Sequence, residues 1–153
     1  MKAMKITRVW AMPSAWTFSI KPIKKLLEYY VGDGINWIDP FAGKTSPAKI
    51  SNDLNPKMPT IYHMEAIDFL ANLKDDIYDG GLYDPPYSLR QIMEVYEGIG
   101  HKVDKKWATT KFYSETKTAL ASKIKLDGTC ISFGWNSIGM GKKRGFEIIE
   151  ILL

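Results

Sequence analysis

Cysteine and histidine are scarce. The 153 residues include one cysteine, Cys130, and two histidines, His63 and His101. A lone cysteine cannot close an internal disulfide, which points to a reducing compartment. Two isolated histidines, with no Cys/His cluster around them, give no basis for a metal centre. No apolar run reaches the ~18–20 residues that cross a bilayer. The first eight residues are broken by Lys2, Lys5 and Arg8 and lack the apolar stretch of a signal peptide. Repeats, low-complexity tracts and Pro/Gly/Ser linkers are missing too. These absences read together as a soluble, cytoplasmic chain with no membrane role. At roughly 150 residues per domain, 1–153 is expected to form one domain. Such a chain buries about 68–70% of its unfolded surface and needs no covalent staples. With 45% hydrophobic and 25% charged residues, it is neither collagen-like, nor a disulfide scaffold, nor mostly disordered.

Charge of one sign is also in small excess. Twenty-one Lys and Arg against 17 Asp and Glu leave +4, with a pI near 9.0. That is compatible with a polyanionic partner and does not demand one. Its distribution says more. Lys21, Lys24 and Lys25 read as a solvated face. Lys102, Lys105 and Lys106 stand beside Trp107, and Lys142, Lys143 and Arg144 follow the pliable Gly139 and Gly141. Both later groups are candidate phosphate contacts, with a solvated loop as the alternative. Trp107 and Trp135, close to these charges, are candidate base-stacking aromatics. Trp10, Trp37 and Cys130 read as core.

Apolar spacing predicts helices over 20–31, 65–73, 88–97 and 110–125, the last with Tyr113, Leu120 and Ile124 as its inward stripe. Short β-type runs at 35–39, 49–53, 60–63, 80–84, 129–133 and 146–153 predict strands. Strands interleaved with helices argue for an α/β fold: a single, mostly parallel, twisted sheet flanked by helices. The first, second and fourth of these strands end in carboxylates, Asp39, Asp53 and Asp84.

The residues that carry chemistry cluster at those strand ends. Asp84-Pro85-Pro86-Tyr87 combines an acid with two prolines, which fix φ and remove two backbone donors. A stiff turn at a strand's C-terminal end lies where open α/β sheets bind ligands. The Asp84 carboxylate and a proline carbonyl give two acceptors at fixed spacing, and Tyr87 adds an aromatic face. That set suits a planar group bearing NH₂. Asp39-Pro40-Phe41-Ala42-Gly43 follows another strand, with Gly43 permitting close backbone approach. Asp53 ends the next strand, where a carboxylate can accept from ribose hydroxyls. Glu65 or Asp68 follows the third, where an adenine amino group would sit.

These motifs resemble those of the amino-methyltransferases that act on exocyclic amines of nucleic-acid bases, in particular the N6-adenine DNA methyltransferases. Asp84 to Tyr87 matches that family's catalytic motif residue for residue, and Asp39 to Gly43 resembles its cofactor motif. Trp16, Thr17 and Phe18, ahead of the 20–31 helix, resemble the segment that closes over the methionine end of S-adenosylmethionine. The resemblance spans about residues 12 to 150. It implies a Rossmann-like methyltransferase fold, S-adenosylmethionine as donor, DNA as partner, and methylation of adenine N6 in DNA. The implied catalytic residues are Asp84, Pro85, Pro86 and Tyr87. Trp16, Thr17, Phe18, Asp39, Pro40, Phe41, Ala42, Gly43, Asp53, Glu65 and Asp84 are implied to hold the cofactor. RNA, cytosine N4 or guanine N2 as targets, or a non-catalytic nucleic-acid-binding subunit of the same fold, are the alternatives. Thr45 stands where the family has a second glycine. Only 14 positions separate Asp39 from Asp53, so the helix usual after the first strand is very short or missing. No segment is long enough for a separate target-recognition domain. Residues 88–109 and 136–145 are the candidates for recognition, with a dimer mate or another subunit as the other source of specificity.

Overall fold

The computed structural model describes residues 3–100, 102, 104, 108 and 111–153. Its strands are β1 (Lys5–Thr7), β2 (Trp37–Asp39), β3 (Ile50–Ser51), β4 (Tyr78–Tyr83), β5 (Ile124–Ser132) and β6 (Glu150–Leu152). Its helices are α1 (Lys21–Val31), α2 (Ala66–Ala71), α3 (Leu89–Glu97) and α4 (Phe112–Ala121), with 3₁₀ turns at Thr17–Ser19 and Lys142–Arg144. A four-stranded sheet runs in the order β3-β2-β4-β5, and every pairing within it is parallel. This is a mixed α/β fold with flanking helices, in a generic Rossmann-like arrangement.

Alternation along the short strands divides the core. Successive side chains of a strand point to opposite faces. Trp37 and Leu82 thus join Leu27 and Val31 of α1 on one face. Ile38 and Tyr83 meet Phe69 and Leu70 of α2 and Leu120 of α4 on the other. Ile92 and Tyr96 of α3 form a third cluster with Phe112, against Phe41 at the end of β2. Two glycines make β4 fit. A Cβ on Gly80 would lie 2.5 Å from the Trp37 indole, and one on Gly81 would lie 2.9 Å from Leu120.

Several expectations need correction. The sheet is not single: β1 and β6 pair in parallel as a separate two-stranded unit. Lys5 (2.9 Å) and the Tyr30 hydroxyl (2.6 Å) both bind Glu150, tying that ribbon to α1. Residues 60–63 form no strand; one bridge, Asn52 to Tyr62, is all that pairs there. Ile124 starts β5 rather than ending α4, whose buried face is Phe112, Thr116 and Leu120. β5 begins earlier than its apolar run because it carries an irregularity: Tyr78 pairs with Ile124, but Gly80 pairs with Thr129. The bulged stretch of the strand includes Asp127 at φ 63°. Trp10 is 84% exposed, not core, whereas Trp37 is buried. Residues 40–49 contain no helix, as the short spacing predicts. Among the described residues, no helix is long and apolar enough to cross a membrane.

Gly80→Ala is expected to destabilise the protein by about 1–3 kcal/mol, because the new methyl must displace a packed indole. Urea unfolding checks this through a lowered midpoint at unchanged slope. A midpoint equal to the parent's would show that Trp37 does not pack on this glycine.

Candidate functional site

From β2 the chain steps to β3 on one side and then returns to β4 on the other. Loops leaving β2 and β4 therefore diverge, and a crevice opens beyond the carboxyl ends of the strands. Its volume is about 850 Å³, within the range of roughly 300–1,000 Å³ usual for ligand sites. It is lined by residues 15–18, the loops 40–45 and 52–58, the turn 84–87, and one side of α3.

The loop after β2 is held from below and from the side. Asp39 is fully buried, under the crevice and not on its wall. Its carboxylate accepts from the Phe41 amide (3.0 Å) and the Ser46 hydroxyl (2.6 Å). Burial pushes this carboxyl up to about 7; those two bonds pull down, and the charges of Asp84 and Asp53 push up. From the side, the Ala42 amide donates to the Asn52 carbonyl (2.9 Å) and the Gly43 amide to Asp53 Oδ2 (2.9 Å). Asn52, buried at the end of β3, donates from Nδ2 to the carbonyls of Pro40 (3.2 Å) and Met64 (2.9 Å). Its Oδ1 accepts from the Met64 amide at 3.0 Å. Gly43 is needed for its φ of 57°; a Cβ there would make only ordinary contact, 3.8 Å from Trp16.

Asp53 lines the crevice, with Oδ1 accepting from the Asn55 amide at 2.8 Å. Two backbone N–H groups thus orient a carboxylate at the end of β3. Glu65 lies behind the wall: its Oε2 accepts from the hydroxyl of Tyr96, which does line the crevice, at 2.7 Å. Asp68 is exposed on α2. Trp16, Thr17, Phe18, Pro40, Phe41, Ala42 and Gly43 all border the space, with the Lys44 ammonium 5.9 Å from the Trp16 ring centroid.

Opposite stands the turn after β4. The Tyr87 hydroxyl donates to Asp84 Oδ1, and Thr17 lies beside the same carboxylate. Burial raises the Asp84 pKa above the ordinary carboxylate value, and the neighbouring hydroxyls of Tyr87 and Thr17 lower it. The turn is anchored twice more. Tyr113 of α4 donates to the Pro86 carbonyl (2.6 Å), and the Tyr87 amide donates to Gln91 Oε1 (2.7 Å). Ser88 caps α3 by accepting from the Gln91 amide at 3.1 Å.

The basic groups divide. Lys142 and Lys143 are exposed, as is Lys102, and Trp135 is 91% exposed. Arg144 is half-buried and donates to Thr118 Oγ1 (3.0 Å) and to the carbonyls of Met140 (3.1 Å) and Ser114 (3.1 Å). It ties the loop to α4. Lys105, Lys106 and Trp107 lie outside the described residues, as does His101.

Sequence reasoning missed Asn52, Tyr96, Gln91 and Tyr113. An isolated Asn or Tyr carries no motif, and only the fold brings these four to the site. It also missed a second cleft of about 800 Å³ between the end of β5, loop 134–141 and the β6 segment. Compared with protein-family models, with curated proteins and with solved structures, the chain matches none of them. Its own residues therefore carry the reading.

The Asp39 carboxyl sets a pH dependence. Unfolded, it ionises near 3.8; folded, near 7. Between those values the folded chain holds the extra proton, so this group's stabilisation falls as pH rises through the window. Asp39→Asn, which keeps an acceptor for Phe41, is expected to lack that decline. Melting temperatures of both proteins from pH 4 to 8 should diverge steadily up to pH 7; a constant difference would refute a raised pKa.

Proposed function

We propose that this chain transfers a methyl group from S-adenosylmethionine to the exocyclic N6 amine of adenine in DNA. The observation that carries the reading is the stiff turn Asp84-Pro85-Pro86-Tyr87 on the wall of a ligand-sized crevice, facing Trp16 to Phe18.

The crevice fits such a donor. Asp53, oriented by the Gly43 and Asn55 amides, offers acceptor oxygens of the kind that take ribose hydroxyls. Trp16 and Phe41 give the crevice an aromatic lining, and Asp84 sets a negative charge beside the place a sulfonium would occupy. When bound, the donor supplies an electrophilic methyl group. Thr17 and Phe18, fixed by the turn ahead of α1, would cover its amino-acid end, and the 40–43 loop would lie along it.

An aromatic amine is a poor nucleophile because its lone pair is delocalised into the ring. The Asp84 carboxylate accepts one N–H and the Pro85 carbonyl the other, favouring a pyramidal nitrogen with its lone pair free. Asp84 also holds the proton that the nitrogen sheds as it gains positive charge. Tyr113 and Gln91 keep both acceptors at fixed spacing by anchoring the turn, so most of the effect is positioning and electrostatics. The base must leave its stack or be unpaired already.

Asp84→Ala is expected to cut transfer by at least about 10²–10³-fold, the usual cost of deleting one preorganised group, while leaving affinity for S-adenosylhomocysteine largely intact. Incubation with labelled donor and DNA, followed by nucleoside mass analysis, reads the first. Turnover retained in the variant would overturn the mechanism. Asp53→Ala is expected to weaken S-adenosylhomocysteine binding by about tenfold, as loss of a charge-assisted hydrogen bond implies. Unchanged calorimetric affinity would remove Asp53 from the site.

A further inference from the structure

The ribbon of β1 and β6 has two unlike faces. Paired residues of a ladder point to the same side, and successive residues alternate. Lys5 pairs with Glu150 and Thr7 with Leu152, and Glu150 takes the Tyr30 hydroxyl, so that face turns to α1. Ile6 pairs with Ile151 on the opposite face, where alternation also sets Met4, Trp10, Ile149 and Leu153. The bonds Lys5 N to Ile149 O and Val9 N to Leu153 O carry the ladder to both ends of this stripe. Ile151 is half-buried, and the other five are 47–84% exposed. Parallel strands are ordinarily covered on both faces, so a continuous apolar stripe on one of them marks a contact surface. Each end carries one charge of opposite sign. Arg8 stands level with Leu153, and Glu147 lies at the other end, about 20 Å away at the rise of a strand. Both are exposed, and neither has an ion-pair partner among the described residues, whereas Lys5 and Glu150 bind each other.

We infer that this outer face of the ribbon docks a second copy of the chain in a two-fold dimer. An axis in the plane of contact, crossing the strands at the level of Glu150, exchanges the two ends of the stripe. Met4 then faces the partner's Ile6, and Ile149 faces the partner's Ile151, with the two ribbons antiparallel. Arg8 comes level with the partner's Glu147, one strand spacing to the side, which is about 4.8 Å. Glu147 meets the partner's Arg8 in the same way. An axis running along the strands would instead set Arg8 beside Arg8 and Glu147 beside Glu147, so the charges select the first arrangement. Six apolar side chains and two charged ones present on the order of 800 Å² per copy, the share one partner gives to a standard interface. None of these residues lines the first crevice, so association leaves it open. The dimer is independent of what that crevice binds.

Sedimentation velocity of the full chain, with neither donor nor DNA present, tests this. The parent is expected to dimerise with a dissociation constant below roughly 100 μM, the weak end for an interface of this size. Ile6→Glu sets an unpaired charge in the middle of the stripe and is expected to raise that constant at least about 100-fold. Arg8→Glu alone is expected to raise it about tenfold, because both end contacts become repulsive. Adding Glu147→Arg to that variant should bring it back to within about twofold of the parent. The exchange removes no apolar side chain, so its result stands whether or not Ile6→Glu folds. A parent that stays monomeric throughout leaves the face to a different protein and overturns the inference. A dimer that survives Ile6→Glu, or one that the charge exchange fails to restore, overturns it equally.

Discussion

The architecture depends on a strand of three residues. β2, Trp37–Asp39, is the one strand bonded to β3 on one edge and β4 on the other, and all three of its residues are buried. Ile38 pairs with Ile50 and with Gly81, so both halves of the sheet hang on the same few peptide groups. Because the chain leaves β2 to one side and comes back on the other, the crevice is a consequence of strand order and not of any particular loop. Gly80 and Gly81 make the pairing sterically feasible. With larger residues there, Trp37 and Leu120 could not close over β4.

Three carboxylates then lie at one sheet edge, each held differently. Asp39 is sealed beneath the surface by an amide and a hydroxyl, which suits a structural hub that organises the 40–46 loop. Asp53 faces the crevice with two backbone amides on its oxygens, which suits an acceptor that must stay oriented. Asp84 accepts from the hydroxyl of Tyr87, a donor that can rotate away. A carboxylate with exchangeable partners is the one able to change partners during a reaction. The three surroundings follow from burial and donor type.

Much of this was legible before the fold. The helices over 20–31 and 88–97 announce themselves through spacing and Pro22, and Asp84-Pro85-Pro86-Tyr87 marks its turn through proline chemistry alone. The spacing between Asp39 and Asp53 already excludes a full helix. What stayed hidden depends on residues far apart in sequence. Asn52 looks like any polar loop residue until the fold sets the carbonyls of Pro40 and Met64 within reach. Arg144 reads as one of three free cations because its run is basic; only the fold shows its partners on α4, 26 to 30 positions earlier. Glu65 reads as a cofactor contact from its place after the third strand; only the fold shows that it accepts from Tyr96, thirty-one residues on, and that Tyr96 borders the crevice. Trp10 looked like core because indoles usually are, and nothing local says that β1 belongs to an outlying ribbon.

That ribbon explains why the N-terminal segment serves two spaces. β1 is fixed to β6 and, through Glu150, to α1. The stretch between β1 and α1 must therefore cross the mouth of the sheet to join them, and its 3₁₀ turn arrives with Phe18 buried against Phe133. This packing fixes Thr17, one residue earlier, at the wall between the clefts.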